Sequence, residues 1–184
     1  MKSTIYERRI EQEWRLLQSL AAANPEVVIA KDRRTVESGV AFDINLLKTE
    51  ALVTAGDGLT RRDSHQVTLH FPRFFPAMPI EASLACPVFH PNVNPETGFA
   101  CLWGKFSAGD TVIEAVVQLQ KVIVWELLNR ESEHLMQPAA LGWFDSPGRE
   151  ICLPLPRQKV RVPQDFMRTR SYRKLPPSLR RRLS

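Results

Sequence analysis

The first stretch of the chain carries its apolar residues at helical spacing. Ile10, Trp14, Leu17 and Ala21 fall on one stripe, while Arg8, Arg9 and Arg15 fall on the solvated side. Thr4 and Glu7 are spaced as a capping box, and Asn24-Pro25 ends the pattern, so residues 4–23 are predicted to form an amphipathic helix. The period then changes to two. Residues 27–31 are short and β-branched, and residues 40–46 alternate. Residues 66–71 put Val67, Leu69 and Phe71 on one face against Gln66, Thr68 and His70, and residues 80–86 supply a fourth strand. Residues 54–64, with Gly56, Asp57 and Gly58, read as a hairpin loop between the second and third strands. Helical spacing returns over 110–129, where Val112, Val116, Leu119, Ile123 and Leu127 make a dense apolar face that Trp125 extends as core filler. Such a helix belongs behind the sheet. The pattern predicts an α+β domain: an N-terminal helix on one side of a four-stranded antiparallel meander, with a buried second helix.

Between the last strand and that helix lies a segment of a different kind. His90-Pro91-Asn92 is followed by the turn formers Asn94, Pro95 and Gly98 and then by Cys101, nine residues after Asn92. The two prolines and the glycine interrupt regular structure and predict an ordered loop across the face of the domain. Such a loop can set a thiol beside a side-chain amide. A thiol is a nucleophile and thioester former, and an amide N–H can stabilise an oxyanion. Cys86, inside the fourth predicted strand, reads instead as a small buried filler.

Composition sets limits around this centre. The chain has 184 residues, 43% of them hydrophobic, enough for one substantial core plus an appendage. No run approaches the length of a membrane span, and the N-terminus lacks the apolar stretch of a signal peptide, so a cytoplasmic protein is expected. Three cysteines, Cys86, Cys101 and Cys152, form no metal-ligand spacing and no disulfide framework. No metal and no cofactor are expected. The net charge of +5 is uneven: residues 1–145 hold 14 Lys and Arg against 18 Asp and Glu, while residues 146–184 hold 11 against 2. The predicted division is a mildly acidic domain, 1–145, and a basic, proline-rich extension, 146–184. The extension reads as a self-docking or partner-docking segment. With Phe166 and Tyr172 as its aromatics, nucleic-acid recognition is not expected.

Phe71-Pro72-Arg73-Phe74-Phe75-Pro76-Ala77-Met78-Pro79, then His90-Pro91-Asn92, then Cys101-Leu102 resembles the core of the ubiquitin-conjugating (E2) enzymes. The spacing from the Phe-Pro turn to His-Pro-Asn matches that family without gaps, and the step to the cysteine carries one extra residue. The resemblance spans residues 4–144. It implies the E2 (UBC) fold and a reaction in which an E1-like activating enzyme passes a ubiquitin-like modifier to Cys101 as a thioester. A lysine amine of a target protein then takes the modifier as an isopeptide. Asn92 either donates to the oxyanion or holds the loop in shape, and His90 belongs to the structural half of the motif. Arg8 and Arg9 stand where the family contacts E1. Residues 130–140 resemble the family's stretch in which an acidic residue lies near the thioester; aligned on Leu135 and Ala140, that residue is Glu133. It would orient the lysine and assist its deprotonation, work that Ser132 or His134 could also do.

Ala77 and the compact link after Cys101 lack two features with which the family docks RING-type ligases, so a RING partner is not expected. These departures bring the chain closer to the E2-like proteins of bacterial ubiquitin-like conjugation operons of the antiphage Bil type. Two further classes fit the residue types: a non-catalytic adaptor for a ubiquitin-like protein or E1, and a thiol hydrolase pairing Cys101 with His134 or His90.

Overall fold

The structure, a computed structural model, describes residues 4–147, 150–164 and 166. Helix α1 (Ile5–Ala23) begins at the Thr4–Glu7 capping box, in which Glu7 N–H donates to Thr4 Oγ1 and Thr4 N–H to a Glu7 carboxylate oxygen. It packs beside a sheet whose strand order is β1 (Val28–Val36), β2 (Gly39–Leu46), β5 (His65–Pro72), β6 (Glu81–Leu84) and β7 (Phe99–Ala100). Every neighbouring pair is antiparallel. Alternation along β5 turns Val67, Leu69 and Phe71 into the core and leaves Gln66, Thr68 and His70 on the outer face. Phe42 of β2 joins this inner layer, 4.4 Å from the Phe71 ring and 4.9 Å from Trp14 of α1.

Two elements differ from the sequence reading. Part of the segment read as a loop is a second hairpin, β3 (Ala51–Ala55) with β4 (Gly58–Arg62), a separate two-stranded sheet that turns at Gly56-Asp57. Its inner residues Ala51, Leu52 and Val53 are buried, and a Gly-Asp pair between two short strands is the local signal for a two-residue turn, with Gly56 at φ +57°. The meander also gains a fifth strand, β7, two residues long and directly before Cys101.

Helix α2 (Val112–Ile123) is buried along most of its length and stops six residues earlier than its apolar pattern predicts. Trp125 adopts φ +64°, a left-handed conformation that ends helical propagation. The Trp125 ring is locked in an aromatic cluster, stacked on Phe144 at 5.5 Å and packed against Trp143 at 5.5 Å and His90 at 4.5 Å. Released from the helix, residues 127–130 run beneath the loop that carries Cys101. A 3-10 turn, Ser132–His134, and helix α3 (Pro138–Asp145) complete this side.

One buried charge ties the two main helices together. Glu13 is fully buried; its carboxylate accepts Val112 N–H at 2.7 Å, at the start of α2, and Arg9 Nε–H at 2.7 Å. Burial raises the Glu13 carboxyl above its ordinary value, against these bonds. Glu13→Ala leaves a buried N–H and the Arg9 guanidinium without their acceptor, and a loss of about 2–3 kcal/mol in urea unfolding is expected. A loss below about 0.5 kcal/mol would mean the pair is dispensable.

The start of the basic extension docks on the body. Leu155 is buried, Glu50 N–H donates to Pro156 O, and Asn24 exchanges two hydrogen bonds with the Arg161 backbone. Arg157 reaches Glu126 at 2.6 Å and Gln120 at 3.0 Å. Tyr172, which the sequence reading singled out, and the basic residues Arg180, Arg181 and Arg182 lie outside the described residues. Among the described residues, no helix is long and apolar enough to cross a membrane.

Candidate active site

The loop between β6 and α2 is held by its own turns and by the domain below it. Asn94 Oδ1 accepts the N–H groups of Glu96 and Thr97, each at 2.9 Å. Gly98 has φ +70°, and a Cβ there would stand 2.0 Å from Leu84 O, so glycine alone lets the loop return against β6. Phe89 N–H donates to Leu52 O at 2.7 Å, which anchors the loop to the β3–β4 hairpin. The Gln137 amide donates to Val88 O and Val93 O, both at 2.8 Å.

Asn92 is the central fastener. Its amide nitrogen donates to Asn129 O at 2.7 Å and His134 O at 2.9 Å, and its Oδ1 accepts Asn129 N–H at 2.8 Å. Its backbone carbonyl accepts Cys101 N–H at 2.9 Å. One buried side chain thus joins the stretch after α2, the 3-10 turn and the cysteine, and both amide hydrogens are spent on backbone. His90 is fully buried under Trp125 and accepts Asn92 N–H at Nδ1, 3.1 Å away. Burial lowers its pKa to about 3, opposed by a backbone contact at Leu127, so the ring is neutral and structural.

That depression has a measurable consequence. The unfolded chain protonates His90 below about pH 6.5, whereas the folded chain does not until about pH 3, so stability is lost as pH falls through this window. Between pH 6.5 and pH 5.0 the wild type should lose about 1.5 kcal/mol more than His90→Gln. His65, also depressed by burial, is present in both proteins and cancels. Parallel pH profiles would remove the buried neutral imidazole from the description.

Cys101 follows β7 and is partly exposed. Its Sγ lies 3.0 Å from His134 Nδ1 and borders a cavity of about 300 Å³ lined by Trp103, Gly104, Leu127, Leu128 and Arg130 among others. Partial burial raises the thiol above its ordinary value. Beyond the histidine ring, Nε2 faces Glu131 Oε2 at 3.3 Å and Glu133 Oε1 at 3.5 Å. The ring therefore stands between the sulfur and two carboxylates. Glu131, Glu133 and His134 offer three ligand atoms within 4.8 Å of one another, but both carboxylates are exposed and the other ring nitrogen is engaged by sulfur.

The structure brings Cys101, Asn92, His90 and Glu133 into one region. Glu133 addresses the far edge of His134 rather than the sulfur. Arg8 is exposed, whereas Arg9 turns inward to Glu13, to Asp110 O and over the Phe75 ring. Cys86 is not a strand filler: β6 ends at Leu84, and Cys86 is partly exposed beyond it. Asn129, Glu131 and Gln137 carried no sequence signal, since their contributions are backbone contacts or depend on where the 3-10 turn puts them.

No family model and no curated protein matches this sequence. Among solved structures, a ubiquitin conjugating enzyme from Trypanosoma cruzi is similar with a TM-score of 0.53 and 18% identity, covering 78% of this chain and 92% of that one. Human ubiquitin-conjugating enzyme E2 G1 has a TM-score of 0.46 and 14% identity, over 66% of this chain and 98% of that one. At 18% identity the first likeness is one of fold: the chain has the α+β arrangement of the ubiquitin-conjugating enzymes, an N-terminal helix on an antiparallel sheet.

Proposed function

We propose that the protein is an E2-type conjugating enzyme in which Cys101 carries a ubiquitin-like modifier as a thioester. The observation that carries this reading is the partly exposed sulfur, latched through its backbone to Asn92 and open to a cavity of about 300 Å³ that can admit an extended peptide end. In the first step the Cys101 thiolate attacks the thioester carbonyl on an E1-like enzyme, and the E1 thiolate leaves. Exchange of one thioester for another needs positioning more than driving force. In the second step a lysine amine attacks the Cys101 thioester and the thiolate departs, leaving an isopeptide.

Asn92 keeps the loop in its reactive shape, and His90 supports Asn92 from below. Glu133 and Glu131 bring negative charge toward the incoming ammonium and His134. Arg8 is assigned to E1 contact; Arg9 contributes chiefly through α1 and α2. Neither step requires a metal or nucleotide. Ala77 and the short link after Cys101 weigh against a RING partner. The departures from the common E2 pattern favour a role in a bacterial ubiquitin-like conjugation system of the antiphage kind.

The test is incubation with an E1, ATP and its ubiquitin-like protein, read on a non-reducing gel. A thiol-labile adduct that disappears in Cys101→Ala is expected; a non-covalent complex without adduct would make the chain an adaptor. The 3.0 Å contact between Cys101 and His134 favours a second reading, a thiol hydrolase. The two differ in the fate of the acyl group: an amine conjugate in one case, the free acid in the other.

A further inference from the structure

We propose that His134 is a catalytic base at the Cys101 acyl group and that it opens the reaction to aliphatic hydroxyls, so that esters form alongside amides. This rests on the acyl-carrier reading of Cys101.

The geometry assigns the ring its roles. Two carboxylates at 3.3 and 3.5 Å face Nε2, which favours the tautomer carrying its proton there. The lone pair of Nδ1 then points at Sγ, 3.0 Å away, and accepts a hydrogen bond from the thiol in the free enzyme. Once Cys101 is acylated the sulfur has no proton to give, and Nδ1 is left beside the thioester. A nucleophile approaching the adjacent carbonyl carbon passes within reach of that nitrogen.

The base matters most for the weaker nucleophile. A lysine amine that has lost its proton to solvent attacks a thioester unaided, but a hydroxyl needs its proton removed as the bond forms. The Asn92 amide does not supply this help, because both its hydrogens are held by Asn129 O and His134 O. In the proposed step the hydroxyl oxygen bonds to the acyl carbon while its proton moves to Nδ1. The C–S bond breaks as the tetrahedral intermediate collapses, and the proton passes from Nδ1 to the departing sulfur. Thioester and alcohol become ester and thiol, with His134 unchanged.

The placement also makes a clean experiment available. His134 anchors Asn92 through its backbone carbonyl, so changing its side chain leaves that fastener in place. The full-length protein is charged by transfer from a short peptide thioester at pH 9, where hydroxide can take the thiol proton in place of the histidine, and is then moved to pH 7.5. Discharge per charged molecule is followed by mass spectrometry with N-acetyl-threonine amide, free lysine or water as acceptor.

The wild type should form a hydroxylamine-labile threonine ester. In His134→Ala this rate should fall about 100-fold, the usual worth of a general base. His134→Gln, which keeps hydrogen-bonding capacity without a basic nitrogen, should behave like His134→Ala, and added imidazole should restore ester formation to the alanine variant. Charging followed only by amide or free acid in the wild type overturns the inference and leaves the acyl carrier standing. Equal ester formation in wild type and His134→Ala does the same. Failure of the wild type to take up the acyl group overturns both.

Discussion

Asn92→Ala should cost about 3–5 kcal/mol of unfolding free energy and, in the fraction that remains folded, about 100-fold in acyl transfer. The substitution removes one side chain but frees three backbone groups, Asn129 N–H, Asn129 O and His134 O, in a partly buried setting. Each unsatisfied group costs on the order of 1–3 kcal/mol, and partial access of water keeps the sum below the simple total. The catalytic loss has a separate origin. Asn92 holds residues 129 and 134 through its amide and Cys101 through its carbonyl, so its removal lets His134 and the sulfur drift apart, and an error of about 1 Å in a reacting pair is worth about 100-fold.

The combined effect distinguishes two roles for the amide. An oxyanion donor would show its loss in transfer alone, with stability intact, because a donor aimed at a transient charge makes no bond in the resting fold. A fastener loses both. Asn92→Asp should fare no better than alanine, since a carboxylate would meet two carbonyl oxygens where the amide donated. Urea melts and single-turnover discharge on the same preparations decide it. Wild-type stability with a transfer defect would return Asn92 to the oxyanion.

Cys101→Ser should lower charging by about 10³-fold or more and change the chemistry of whatever adduct forms. The hydroxyl has nearly the shape of the thiol and can still donate to His134, so stability should stay within about 0.5 kcal/mol of wild type. Sulfur supplies an accessible anion and a high-energy acyl bond; oxygen supplies neither without a stronger base. Any adduct on the introduced hydroxyl would be an ester that survives dithiothreitol, whereas the wild-type adduct would not. Undiminished, thiol-labile charging of Cys101→Ser would mean that another cysteine carries the cargo.

Local signals in the sequence were those that physics keeps local. The Thr4–Glu7 box is a three-residue spacing, and β2 and β5 announce themselves by alternation, because the pleat demands it. The loop from His90 to Cys101 was legible through its prolines and Gly98, whose backbone angles few residues share. What escaped depended on contacts between distant segments. Glu13 looks like any charged helix position until α2 brings the Val112 N–H to it, 99 residues away. His134 is 33 residues beyond Cys101, and its approach to the sulfur follows from Trp125 ending α2 early and from the Asn92 clamp. The sequence reading named His134 among the groups able to serve Cys101, but pairing needed the fold.

The central claim is that one sulfur is built to accept an acyl group, and competition among the three cysteines tests it most directly. The wild-type protein is exposed to a substoichiometric peptide thioester at pH 7.5, quenched in acid, digested, and its acylated cysteines quantified by mass spectrometry against time. The acyl group should appear on Cys101 at least about tenfold faster than on Cys86 or Cys152, leave on treatment with dithiothreitol, and be absent from Cys101→Ala. Equal labelling of Cys101, Cys86 and exposed Cys152, or preference for either of the others, would contradict the claim that Cys101 is the acyl carrier.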